Sequence, residues 1–273
     1  FAAWCKWHGR QDASGGGQFS GRLTAALCLA GGIAIQALST QEIHIAAHLK
    51  EVAGIKDDTL AVFDASPASR LLLSKQISHL HTKQGLPVLN DLAGEKILSA
   101  IREACEAGDS VGGLVECVAT GIPAGMGSPL FEGLESTIAH AIFSIPAVKG
   151  IEFGLGFEAA RRRGSENNDP YVVQDGEVQP ATNNAGGILG GISTGAPLFF
   201  TCAFKPISSI SLPQRSVDLS SNTQTTLEIH GRHDTCAALR AVPVVEAVCA
   251  LALLDAELSW PQESKRNPYE VGL

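Results

Sequence analysis

Apolar residues recur at two different periods along this chain. Ile43, Ile45, Ala47 and Leu49 alternate with His44, Ala46, His48 and Lys50, the period of two that marks a strand. Ile151, Phe153, Leu155 and Phe157 alternate in the same way, and strand-like runs also cover 111–120, 197–204, 207–219 and 223–230. Helical spacing takes over between them. Ile97, Leu98, Ile101 and Ala104 share one face of a predicted helix over 94–107, closed by Gly108-Asp109. Leu134, Ile138, Ala141, Ile142 and Ile145 mark another, stopped by Pro146. An apolar run to about Leu38 follows Ser20, a hydroxyl N-cap after a glycine loop. The last helix is predicted to start near Pro243 and to continue through Val248, Leu251 and Leu254. A polar, Gly-rich loop fills 161–193. Strand pairs close in sequence, mixed with helices and without a composition break, predict an α+β fold with antiparallel sheet in one domain over 1–273.

Charge narrows the partners. The 273 residues carry 20 Lys+Arg against 28 Asp+Glu, a net charge of −8, which argues against nucleic acid or an anionic membrane surface. Charged residues are 18%, below the roughly 25% of soluble domains, so part of the surface is expected to be covered by other subunits. The longest uncharged apolar stretch, 23–38, is shorter than the ~20 residues of a membrane span and is interrupted by Thr24, Gly31, Gly32 and Gln36. The chain begins at Phe1, so the native polypeptide is expected to be longer. Seven cysteines without a CxxC pattern read as reduced, buried thiols of a cytosol-like compartment.

Four segments carry candidate chemistry. Glycines 15–17 with Gln18, Phe19, Ser20, Gly21 and Arg22 offer close backbone approach, a helix N-terminus and a guanidinium to an anion; the alternative is a flexible loop with an ordinary cap. The glycines of 183–193 suit backbone passing beneath a planar ligand, or tight loop packing. Lys205, Pro206, Ile207, Ser208 and Ser209 place a cation and two hydroxyls at a strand end, as a phosphate site or as a solvated turn. Gly231, Arg232, His233 and Asp234 combine an anion clamp with proton-transfer groups, or form a salt-bridged turn. His44 and His48 on a strand would lie roughly 13 Å apart, too far for one metal, and read as solvated. His79 and His81 have no Cys or acidic cluster nearby, so zinc is not predicted. Arg161, Arg162 and Arg163 read as a solvated loop face. No P-loop and no GxSxG elbow is present.

These segments in this order resemble the chorismate synthase family, together with 121–129, 144–150, 163–167 and the run from Gly231 to Pro243. The resemblance implies a cytoplasmic, homotetrameric lyase of the shikimate pathway. It would convert 5-enolpyruvylshikimate 3-phosphate to chorismate and phosphate by 1,4-elimination, with reduced FMN. It also implies a β-α-β sandwich, helices packed between antiparallel sheets. FMN contacts then fall on Gln18, Phe19, Ser20, Pro146, Ala147, Gly190, Lys205, Pro206, Ile207, Ser208, Ser209 and Arg232. Arg22 and Arg232 would hold substrate anions, Asp234 would be catalytic, and no metal is implied. Many members have Arg-Ser where this chain has Gln18-Phe19, and Pro where it has Thr235. The family's two catalytic histidines precede the position of Phe1, so the match is N-terminally incomplete. Two rival readings stand beside this one: a flavin-binding homologue without catalysis, and a structural oligomer subunit.

Overall fold

The protein is described here by a computed structural model covering residues 1–12, 16–64, 66–174, 176–231 and 233–260. Helices α1 (Ala2–Trp7) and α2 (Thr24–Ser39) lead into β1 (His44–Val52) and the short β2 (Ile55–Lys56). Helices α3 (Pro67–Thr82) and α4 (Asp91–Glu106) follow, then β3 (Gly113–Thr120), α5 (Leu134–Ile142), β4 (Val148–Phe153) and the single turn α6 (Gly164–Asn167). Two small hairpins come next, β5 (Tyr171–Gln174) with β6 (Glu177–Pro180), and β7 (Ile188–Leu189) with β8 (Ile192–Ser193). Strand β9 (Leu198–Phe204) precedes a third hairpin, β10 (Gln214–Asp218) with β11 (Thr223–Leu227), and then α7 (Ala238–Ser259).

Five strands form one antiparallel sheet in the order β2-β1-β3-β9-β4. Its register gives the sheet two distinct ends. Val52 pairs with Gly113, Gly113 with Phe204 and Phe204 with Val148 at the first end. His44 pairs with Thr120, and Ala119 with Leu198, at the second. Ile45, Ala47, Leu49, Val115, Cys117 and Cys202 face one core with α2, α5 and α7, while Ala46, Val118 and Phe199 face a second with Leu73 and Ile77 of α3. The fold is α+β with antiparallel pairing, as the sequence predicts. Among the described residues the far side of α2 meets no second large sheet, and Leu29 and Ile33 there are 76% and 70% exposed.

Helices α2 and α7 run in the same direction. The end of α2 returns to His44 at the second end of the sheet, where Ile43 N–H donates to Leu38 O. Helix α7 starts against Gly113 at the first end, and by Glu246 it has reached Ala47, whose N–H the carboxylate accepts at 2.7 Å. The two axes touch at Gly31: a β-carbon there would lie 2.3 Å from that of Ala247. With its 3-10 lead, the stretch Gly21–Ser39 is long and apolar enough to cross a membrane by length and composition alone. Gly31, Ala34 and Leu38 along it are nevertheless packed into the fold.

Four local expectations are corrected. Strand β4 stops at Phe153 because Gly154 and Gly156 take φ of +56° and +52°; Leu155 therefore leaves the ladder, and Phe157 lies in a 3-10 turn, 79% exposed. Helix α7 starts at Ala238 with Pro243 inside it, since burial of Ala238, Ala241, Val242, Val244 and Val245 outweighs the missing N–H. The strand expected over 207–219 is limited to β10, because Pro206 and Pro213 cannot donate to a ladder. His48 is fully buried rather than solvated, because β1 is covered on both faces.

Candidate functional site

Four loops meet at the first end of the sheet. Lys205 N–H donates to Ala147 O at 3.0 Å, and Val111 N–H donates to Thr235 O at 2.9 Å. Ser110 Oγ–H donates to Ile207 O at 2.6 Å, and Gln214 Nε2 donates to Ser208 O at 3.4 Å. Segments 146–147, 205–209, 108–112 and 234–236 are thus tied into one assembly. Gly112 permits the approach, since a β-carbon there would lie 2.7 Å from Phe204 O and 3.1 Å from Pro206 Cδ.

The start of α2 points to this same end. Ser20 is the predicted cap and accepts from Arg22 N–H at 3.2 Å, although the first turns, Gly17–Phe19 and Gly21–Leu23, are 3-10 rather than α. Gln18 is exposed. Phe19 is exposed too, its ring 5.9 Å from that of Trp7. Lys205 and Arg22 form no ion pair among the described residues. Ala147 holds φ +74°, a left-handed conformation that a residue with a β-carbon adopts only under constraint. Asp234 is not isolated: Arg240, on the first turns of α7, reaches its Oδ1 at 3.1 Å. Arg232 and Gly15 lie outside the described residues.

Gly190 is not brought to this cluster within the chain. It lies at the turn of β7–β8, beside Gly191, which packs on Ser128 and Gly133, while Gly187 touches Leu198. Leu198 is six residues from Phe204 along β9, about 20 Å.

Two other polar features lie elsewhere. A cleft of about 700 Å³ opens at the second end, between α3 and the β5–β6 hairpin. Several of its polar groups are already engaged: Arg70 with Gln179, His81 Nε2 with Ile45 O at 2.8 Å, and Asp64 with Ser66 and Ser69. Volume alone therefore does not make it the site of chemistry. On the outer face of the sheet His48 donates to Asp57 at 3.0 Å and to Glu116 at 3.2 Å, and Lys50 reaches Glu116 at 2.7 Å. Burial alone would lower the His48 pKa, but the two carboxylates outweigh it and hold the ring above its ordinary value. Burial likewise opposes ionisation of Asp57 and Glu116, yet hydrogen bonds from His48 draw both below the usual carboxylate range, helped by Leu89 and Asn90 N–H for Asp57 and by Lys50 for Glu116. Among the described residues no group of three or more His, Cys, Asp or Glu side chains is arranged so that it could hold a metal ion. Burial raises the thiols of Cys117, Cys202 and Cys236, whereas Cys5 and Cys105 are exposed, against the expectation that all are buried.

The sequence reading missed Ser110, Gly112, Arg240 and the strain at Ala147. Only Gly112-Gly113 left a visible trace, a glycine pair at the start of a strand.

The scaffold is an antiparallel α+β fold with a cation and hydroxyls gathered in loops at one sheet end, the class of fold that hosts small-molecule enzymes. The chain belongs to the chorismate synthase family, whose profile matches residues 1–258. A chorismate synthase from Lancefieldella parvula is 53% identical over 271 residues, covering 98% of this chain and 71% of the relative. One from Thermococcus kodakarensis is 43% identical over 255 residues, covering 93% and 67%. A crystal structure of chorismate synthase superposes with a TM-score of 0.76 at 29% identity, over 94% of this chain and 69% of that one.

Proposed function

We propose that this shikimate-pathway enzyme is a carbon–oxygen lyase that eliminates phosphate from 5-enolpyruvylshikimate 3-phosphate to give chorismate, with reduced FMN as its cofactor. The observation that carries this reading is the meeting of 146–147, 205–209 and 234–236 at the sheet end to which α2 directs Ser20 and Arg22. Their donor set suits a flavin phosphate and an anionic substrate: the Lys205 ammonium, paired hydroxyls at Ser208 and Ser209, and the Arg22 guanidinium at a helix start. Gln18, Phe19, Ser20, Pro146, Ala147 and the loop Lys205, Pro206, Ile207, Ser208 and Ser209 would hold FMN. When bound, reduced FMN supplies an electron-rich ring that favours removal of a weakly acidic carbon-bound proton.

The chain's own residues do the rest. Arg22 neutralises the anionic substrate, and the N-terminus of α2 adds its partial positive charge as phosphate leaves. Asp234 holds the departing proton on its carboxylate, and Arg240 fixes that carboxylate's orientation. Arg232 would add a second guanidinium. Gly190 would contribute to cofactor binding only from a position the single chain does not bring to the cluster. The apolar exposed residues Leu29, Ile33 and Phe131 suit burial between copies in a homotetramer, and the scattered thiols suit a cytoplasmic setting.

The Asp234–Arg240 ion pair supports a second reading, in which this turn is structural and the chain binds flavin without turnover. Asp234→Asn separates the two. Under the catalytic reading the variant folds and binds reduced FMN as before, while turnover falls by about 10²–10⁴-fold. Wild-type turnover in Asp234→Asn would remove Asp234 from the chemistry, whereas an unfolded variant, together with a wild-type chain that binds flavin without turnover, would favour the structural reading.

A further inference from the structure

We propose that Ser110 is a positioning residue, one that sets the shape of the cofactor loop 205–209 without touching the cofactor itself. The proposal rests on the flavin reading of that loop given above. Ser110 stands in the turn between α4 and β3, and the sequence suggests nothing for it beyond ending a helix. Its hydroxyl is half-buried and donates to Ile207 O at 2.6 Å, across 97 residues of sequence. Ser110 N–H is already taken by Asp109 Oδ1 at 2.7 Å, which fixes the turn from which the hydroxyl reaches.

The neighbouring bonds extend the grip on both sides. Gly108 O accepts from Ser211 N–H at 2.9 Å and from Leu212 N–H at 3.3 Å, so the loop is also held just past Ser209. On the other side Val111 N–H donates to Thr235 O, which ties the same turn to the segment that carries Asp234. The five residues 108–112 therefore bracket both loops. Within the bracket Ser110 is the one side chain that bonds the middle of 205–209. Neither of the two peptide groups that lead into Ile207 can substitute, because Pro206 lacks an N–H and Lys205 N–H is committed to Ala147 O.

Removing the hydroxyl leaves the Ile207 carbonyl without this donor and frees the peptide between Lys205 and Ser208. A loop that must order itself on binding holds its ligand less tightly than a pre-formed one. The experiment is a titration of the purified chain with FMN under reducing conditions, read by absorption and fluorescence and paired with a melting curve. Ser110→Ala, Ser110→Thr and Lys205→Ala are compared with wild type. Ser110→Ala is expected to weaken reduced FMN about five- to tenfold, the range of one net hydrogen bond, and to shift the absorption band of the bound flavin. Ser110→Thr keeps the hydroxyl and is expected to restore both. Unchanged affinity and spectrum in Ser110→Ala, with only the melting temperature lowered, would overturn the positioning role while leaving the flavin reading intact. Lys205→Ala binding as tightly as wild type, or wild type binding no reduced FMN, would overturn the flavin reading of the loop and this proposal with it.

Discussion

Replacing His48 by leucine tests whether the buried polar row is a genuine charge network. The His48 ring and the Asp57 side chain are wholly buried, and Glu116 is 2% exposed. Asp57, His48, Glu116 and Lys50 together carry two negative and two positive charges, so the row is neutral while the imidazole is protonated. The leucine side chain would fill a similar volume but leave two buried carboxylates with one ammonium. Breaking a buried pair in this way costs about 3–5 kcal/mol. Protonation of one abandoned carboxylate limits the loss, because a neutral acid is the cheaper buried form. The pH profile carries the sharper information. His48 is held above its ordinary value, so its contribution is complete below about pH 6.5 and fades as pH rises through the raised value. Asp57 and Glu116 are held below theirs, so their contribution is present above about pH 4 and fades as pH falls through the lowered values. Urea denaturation across this range should therefore show the wild-type advantage over His48→Leu greatest near pH 5–6 and narrowing on both sides. A difference below about 1 kcal/mol, or one independent of pH, would refute the network.

Two further substitutions probe the scaffold. Gly31→Ala gains about 1 kcal/mol of helix propensity but puts a β-carbon 2.3 Å from that of Ala247, so a net loss of about 1–3 kcal/mol is expected from denaturant midpoints, and stabilisation would contradict the close packing. Ala147→Gly should raise stability by about 0.5–1 kcal/mol in the same assay, because glycine adopts φ +74° freely, and a lowered midpoint would show that the alanine is unstrained there.

Where burial and period coincide, the fold was legible in the sequence. Strands β1, β3 and β9 and helices α4 and α5 follow their apolar spacing, and Ser20 caps where a hydroxyl after a glycine loop is expected. Alternation failed at Leu155 and Phe157, since a strand and a 3-10 turn share a short apolar rhythm and only the contacts of Gly154 decide between them. Helix α3 was not predicted, although Ser66 before Pro67 is a good start signal, because the consecutive Leu71, Leu72 and Leu73, two of them exposed, obscure a helical period. His48 reads as solvated only if β1 has one wet face; that both are covered depends on α3, which the sequence reading lacked. The site divides in the same way. Segments 205–209 and 231–234 could be singled out by composition, whereas Ser110 acts through a contact 97 residues away, for which no local pattern exists.

The shared direction of α2 and α7 would let an acidic chain present the anion site proposed for it. A helix N-terminus carries about half a positive charge, and its effect fades within a turn, so it matters only where it is aimed. The chain leaves α2 for β1 at the second end of the sheet, and α7 starts beside Gly113 at the first, so both N-termini lie at the first end. Gly31 lets the two axes approach closely enough to fix that alignment. The start of α7 immediately follows the segment with Asp234, and the start of α2 carries Ser20 and Arg22. Two helix dipoles, Lys205 and Arg22 thus build a local positive field on a protein of net charge −8. Reversing either helix would leave the composition untouched and turn one of these N-termini away from the loops. Net charge therefore bears on partners of the whole surface, while the local field at this end of the sheet is set by helix direction.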